Sequence, residues 1–160
     1  MTLPLRRAVV ALGSNLGDRR SHLDYARAEL AERHAVLACS RLYETAPWGD
    51  VPQGPYINAA ILLDISVTAH GLLEDLLAIE QRRGRVRDVR YGPRTLDLDV
   101  LWIEGVVVDD EALTVPHPRL HERAFALWPL VDVAPFATDA RGAPYLRGEP
   151  EGIVAITPWT

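Results

Sequence analysis

Hydrophobic periodicity orders the elements of this chain as strand, helix, strand, strand, helix, strand. That order predicts an α+β class: a ferredoxin-like antiparallel sheet with helices packed on one face, plus C-terminal additions. Two patterns support it. Residues 56–65 and 95–103 each carry a face that is apolar along its whole length, as a sheet face covered by helices should. Residues 18–33 and 69–83 carry apolar side chains at helical spacing.

Taken in order, Arg7 to Leu12 is a short apolar run with Val9 and Val10, ended by Gly13, and reads as the first strand. Gly13-Ser14-Asn15-Leu16-Gly17-Asp18 is a turn cluster entering the first helix, whose Leu23, Ala26 and Leu30 share one face. Val36 to Thr45 alternates loosely and is predicted as the second strand. Ala46 to Pro55, with its prolines, glycines and Trp48, is a loop. In the third strand Ile57, Ala59, Ile61, Leu63 and Ile65 form the apolar face, while the opposite face opens with Tyr56 and Asn58 before turning to Ala60 and Leu62. The second helix buries a broad stripe of Leu72, Leu73, Leu76, Leu77 and Ile79, with Thr68 as its N-cap and Gly84 as the glycine that ends it.

The fourth strand repeats the pattern of the third. Leu96, Leu98, Val100 and Trp102 make its apolar face; the other begins Thr95, Asp97, Asp99 and becomes Leu101, Ile103. If the starts of these two strands lie at one end of a common sheet, Tyr56, Asn58, Asp97 and Asp99 line one pocket. Beyond Glu104-Gly105, Val106 to Val108 reads as a short paired strand, and Pro116 and Pro118 bracket His117 in an extended loop. Leu120 to Leu127 is a helix predicted to stop before Pro129, and only Ile153 to Ile156 is strand-like in the glycine- and proline-rich remainder.

At 160 residues, 48% apolar and 24% charged, the chain suits one globular domain with a real core. No apolar run approaches membrane-spanning length and no signal-peptide pattern opens the sequence, so no membrane partner and a cytoplasmic location are expected. The single cysteine, Cys39, cannot form an internal disulfide and reads as a small buried residue. A net charge of −5 argues against a nucleic-acid partner. All 17 basic residues are arginine, which excludes a P-loop lysine and a lysine Schiff base.

The chemistry concentrates in residues 84–100. Arg82, Arg83, Arg85, Arg87, Arg90 and Arg94 fall within thirteen residues, and guanidinium forks suit phosphate oxygens. Directly downstream, Asp97 and Asp99 stand two apart on a strand, so both point to one face with Cα atoms about 6.5–7 Å apart. Two carboxylates on one face call for a hard cation such as Mg²⁺. Metal-binding carboxylates beside a phosphate-binding arginine loop describe transfer from a nucleotide–metal complex. Like charges packed so densely also suggest a loop that opens without nucleotide and closes over it.

Gly84-Arg85-Val86-Arg87 followed by Tyr91-Gly92-Pro93-Arg94-Thr95-Leu96-Asp97-Leu98-Asp99 resembles the signature of the 6-hydroxymethyl-7,8-dihydropterin pyrophosphokinases of folate biosynthesis. Gly13-Ser14-Asn15-Leu16, Tyr56-Ile57-Asn58-Ala59-Ala60 and Leu113-Thr114-Val115-Pro116-His117-Pro118 resemble the same family, in its order and spacing, from about residue 8 to 135. The resemblance implies a ferredoxin-like fold, a single pyrophosphokinase domain over residues 1–160, and ATP and 6-hydroxymethyl-7,8-dihydropterin as partners. A monomer is expected. The implied reaction transfers pyrophosphate from ATP to the pterin and releases AMP, with two Mg²⁺ ions arriving with ATP and held by Asp97 and Asp99. By motif position Arg85 and Arg94 are the implied catalytic arginines. Leu73, Glu80, Arg87, Tyr91, Arg94, Thr114, His117 and Arg123 are implied ATP contacts. Tyr56 and Phe125 are implied as aromatic walls for the pterin, Asn58 as its amide reader, and Thr45 and Trp48 as further lining. The physics agrees, since a flat heteroaromatic ring stacks between aromatic faces and an asparagine offers a donor and an acceptor together. Tyr91 stands where many members have tryptophan, and Ala112 where some have an arginine; both bear on nucleotide affinity, not on reaction type.

Two readings from other classes share parts of this pattern. A metal-dependent nuclease would also use paired carboxylates, but should show a wide basic surface, which this acidic chain lacks outside the loop. An RNA-recognition-like module should present stacking aromatics on adjacent central strands, where this chain has Asp97 and Asp99.

Overall fold

The computed structural model describes residues 3–47, 52–84 and 95–160. Its elements are β1 (Arg6–Ser14), α1 (Arg19–Arg33), β2 (Ala35–Cys39), β3 (Leu42–Thr45), β4 (Tyr56–Ile65), α2 (Ala69–Arg82), β5 (Asp97–Ile103), β6 (Val108–Asp109), β7 (Thr114–Val115), α3 (Ala124–Val133) and β8 (Ile153–Thr157), with a 3₁₀ turn at Leu120–Glu122 before α3. The main sheet runs β5-β1-β4-β3-β8, with β2 also on β4, and every pairing in it is antiparallel. This is the expected α+β, ferredoxin-like arrangement, extended by β8 at one edge.

The two helices of the repeating pattern form where their caps and stripes place them. Asp18 caps α1 by accepting the Ser21 N–H at 3.0 Å, and Thr68 caps α2 by accepting that of Gly71 at 3.0 Å. Gly84, at φ +78°, ends α2 in the left-handed conformation that glycine adopts without steric cost. Leu23, Ala26 and Leu30 of α1 and Leu72, Leu76 and Ile79 of α2 bury against Ala8, Val10, Leu12, Ile61, Leu63, Leu98 and Val100. Leu77, expected within the buried stripe, is exposed instead.

The opposite sheet face is also covered. Ala126, Leu127, Leu130 and Val133 of α3 pack with Val9, Ala60, Leu62, Leu101 and Trp102, and Ala137 and Tyr145 complete this second core. The C-terminal additions therefore close the face left open by the first two helices. Among the described residues no helix is long and apolar enough to cross a membrane. Cys39 is half-buried beside the helix-side core, and burial pushes its thiol pKa up.

Four local expectations are corrected. First, β1 does not end at Gly13 but continues to Ser14, because Gly13 and Ser14 still pair with Asn58 and Ile57 of β4. Second, the predicted second strand is two strands, β2 and β3, on the same flank of β4. Ser40 makes the break: its Oγ accepts the Ala60 N–H at 2.8 Å, so a side chain stands in for a backbone acceptor. Third, the apolar face of β5 changes phase. A bulge opposite Val9 and Val10 leaves Leu101 without a pairing partner, so Leu101 and Trp102 both join the α3 side and Ile103 returns to the helix side. Fourth, α3 runs through Pro129. Losing one helical hydrogen bond there is offset by burial of Leu127, Leu130 and Val133 on the sheet.

Candidate active site

Strand register assembles the site. Gly13 of β1 lies directly across from Asn58 of β4 on one side and Asp97 of β5 on the other, and Ala11 lies across from Asp99. Directly opposed residues share a face of the sheet. Asn58, Gly13 and Asp97 therefore stand abreast on three adjacent strands, and Asp99 follows one alternation along β5. Over them opens a cavity of about 510 Å³, lined also by Thr45, Tyr56, His117, Arg123 and Phe125. The conditional placement of Tyr56, Asn58, Asp97 and Asp99 around one pocket is realised.

Each wall has a local cause. Asn58 is oriented by Thr45, which is buried at the end of β3: the Asn58 amide Nδ2 donates to Thr45 Oγ1 at 2.6 Å. Tyr56 begins β4, and the chain leading into it is tied to the end of β1. Asn15 Nδ2 donates to Gln53 Oε1 at 2.8 Å and to the Gly54 carbonyl at 3.2 Å. Phe125 and Arg123 come from the start of α3, the guanidinium carbon 5.8 Å from the ring centroid. His117 reaches the cavity because its backbone N–H donates to the Leu101 carbonyl at 2.9 Å, at the bulge in β5.

His117 is held below its ordinary value by burial first, then by the positive charges of Arg123 and Arg119. It is therefore neutral at neutral pH. Its Nδ1 accepts the Arg119 backbone N–H at 3.3 Å, which leaves the ring proton on Nε2, free to donate to a ligand.

The implied pterin set Thr45, Tyr56, Asn58 and Phe125 lines the cavity with Asp97, Asp99, His117 and Arg123. Trp48, Arg85, Arg87, Tyr91 and Arg94, and with them the arginine loop and its closure, lie outside the described residues. Leu73, Glu80 and Thr114 are not brought to the cavity. Leu73 packs against the helix-side core, and Thr114 pairs with Asp109 in a two-stranded ribbon. Glu80 is buried, and its carboxylate accepts the Leu98 N–H of the edge strand β5 at 2.8 Å. Sequence reasoning missed Gly13, Leu101 and Arg119, which also line the cavity. Gly13 was hidden by its place in a turn-like cluster. Arg119, two residues past His117, was legible only as a neighbour of that motif.

Among the described residues no three histidine, cysteine, aspartate or glutamate side chains cluster as a metal site. The donor set of the cavity is the oxygen pair Asp97 and Asp99, which fits a hard cation that brings other ligands with it.

The family model described as 7,8-dihydro-6-hydroxymethylpterin-pyrophosphokinase (HPPK) matches residues 9–135. Over 133 residues the chain is 48% identical to the 2-amino-4-hydroxy-6-hydroxymethyldihydropteridine pyrophosphokinase of Methylorubrum extorquens, covering 82% of this chain and 84% of that one. With the protein of the same name from Bacillus subtilis it shares 44% over 128 residues, 79% of this chain and 77% of that one. A crystal structure of Plasmodium falciparum HPPK-DHPS aligns with a TM-score of 0.67 at 14% identity, covering 86% of this chain and 43% of that one. The chain thus spans less than half of that structure's length, and the likeness carries the fold alone.

Proposed function

The chain belongs to the 7,8-dihydro-6-hydroxymethylpterin-pyrophosphokinase family, and from that membership we propose that it transfers pyrophosphate from ATP to 6-hydroxymethyl-7,8-dihydropterin as a single domain over residues 1–160. The hydroxymethyl oxygen attacks the β-phosphorus, the bond from that phosphorus to the oxygen bridging it to the α-phosphorus breaks, and AMP leaves. The hydroxyl proton passes to water. The observation that carries this reading is one cavity lined both by an amide and two aromatic residues, Asn58 with Tyr56 and Phe125, and by a carboxylate pair, Asp97 and Asp99.

Asp97 and Asp99 would hold Mg²⁺, two ions arriving with ATP, and the bound metal would neutralise phosphate charge. Arg123 and His117 face the same space as a cation and a neutral Nε2–H donor, suited to phosphate or ribose oxygens. Tyr56 and Phe125 hold the ring by stacking, and Asn58 fixes its orientation. Arg85 and Arg94 would add positive charge at the transferring group, with Arg87 and Tyr91 on the nucleotide and Trp48 on the pterin. Catalysis in this scheme is positioning and charge neutralisation, and no strong side-chain base is required.

Incubating the protein with ATP, Mg²⁺ and 6-hydroxymethyl-7,8-dihydropterin should yield AMP and the pterin diphosphate in equal amounts. ADP as the nucleotide product, or no turnover of this pterin, would overturn the reading.

A further inference from the structure

We propose that Gly13 is a positioning residue, whose missing side chain keeps the Asn58 carboxamide in the orientation that reads the pterin. The inference rests on the function proposed above for the ligand, but not for the side-chain geometry. A Cβ built on Gly13 would stand 2.8 Å from Asn58 Oδ1 and 3.6 Å from Tyr56 Cδ1. The first distance is shorter than real Cβ contacts allow. Backbone conformation does not demand glycine at this position, since Gly13 is a β1 strand residue and is not among the positive-φ glycines. The obstacle to a side chain is therefore the Asn58 oxygen itself.

Asn58 has little room to yield. Its Nδ2 is engaged by the buried Thr45 hydroxyl at 2.6 Å, and its Oδ1 is the atom turned toward Gly13. Rotating the carboxamide away from a methyl group at position 13 would break the Thr45 hydrogen bond and re-aim both polar atoms. Gly13 also lies across from Asp97, so the gap above it joins the amide reader to the carboxylate pair. The hydroxymethyl group must reach along that gap for its oxygen to approach the phosphate.

Calorimetry on wild type, Gly13→Ala, Asn58→Ala and the double variant, with the pterin and separately with a non-hydrolysable ATP analogue, tests the proposal. Gly13→Ala should weaken pterin binding by about tenfold or more, and leave analogue binding within about twofold. In the Asn58→Ala background the same substitution should cost less than about twofold further, because the clashing oxygen is gone. Without any ligand, the Asn58 side-chain amide signals should move in the nitrogen–proton NMR spectrum of Gly13→Ala. An equal cost of Gly13→Ala in both backgrounds, unchanged amide signals, or wild-type pterin affinity in Gly13→Ala would overturn it. Should Gly13→Ala fail to fold, the double variant must fold, and its failure also overturns the proposal. Failure of the wild type to bind this pterin would instead count against the proposed function.

Discussion

Asp97 and Asp99 share a direction because side chains alternate along β5, and both lie on the cavity rather than in either core. Exchanging each for asparagine removes charge while keeping shape. Asp97→Asn and Asp99→Asn should each lower turnover by about a hundredfold or more, with thermal midpoints within about 2 °C of wild type. Near-normal turnover at limiting Mg²⁺ in either variant would remove that residue from the metal role. These two, with Tyr56 and Asn58, were legible in the sequence because a polar residue interrupts an otherwise apolar alternation. Glu80 shows the opposite case. Family position implies a nucleotide contact for it, and the fold adds what the sequence does not show: its carboxylate accepts the N–H of Leu98 on the edge strand, which depends on how α2 sits against β5. In the sequence Gly13 reads as a turn residue, because glycine says nothing by itself about which neighbour needs the space.

At the level of elements, periodicity located the strands and long helices, and tertiary contacts decided where they break. Nothing local marks Ser40 as the interruption between β2 and β3; its hydroxyl does so only because Ala60 of β4 offers an N–H there. The same holds for the bulge at Leu101, which carries the loop bearing His117 to the cavity through a backbone hydrogen bond. Pro129 reads locally as a helix stop, and α3 passes through it because of the apolar surface it buries on the sheet beneath. Caps, by contrast, are local and were readable. Thr68 accepts the Gly71 N–H at the start of α2, so Thr68→Ala should lower stability by about 1 kcal/mol in urea unfolding. Thr68 is not among the cavity residues, so pterin affinity should be unchanged. A matching loss of pterin affinity would mean that α2 itself helps to shape the pocket.

Across the whole molecule, Asp132 is the point where three separate stretches meet. It sits near the end of α3 and accepts from Tyr43 Oη of β3 at 2.7 Å, from Arg41 in the link before β3, and from Arg147 of the C-terminal addition at 2.9 Å. Its side chain is about 10% exposed. Burial alone would raise its pKa, but the hydrogen bonds from Arg41, Tyr43 and Arg147 outweigh that and hold it at about 2, against an ordinary 3.8. Burial and Asp132 together push Tyr43 up to about 12, so its phenol stays neutral in acid. The Asp132 carboxylate titrates there. Because its folded value is the lower one, its stabilisation is complete above pH 3.8 and drains away as pH falls toward 2. His22 and His117, both lowered chiefly by burial, act in a different window, where protonation of the unfolded chain erodes stability as pH drops below 6.5. Glu104, held down by its hydrogen bond from Arg7, and Asp139, held down by the Ala143 N–H, share the acid window. One substitution will therefore reduce the acid loss without abolishing it. Urea unfolding across pH should show Asp132→Asn less stable than wild type by roughly 2 kcal/mol near neutrality. That gap should hold through the histidine window and narrow steadily from pH 3.8 toward 2. A gap that stays constant down to pH 2 would mean that the three stretches are held by packing alone and that the Asp132 charge plays no part in joining them.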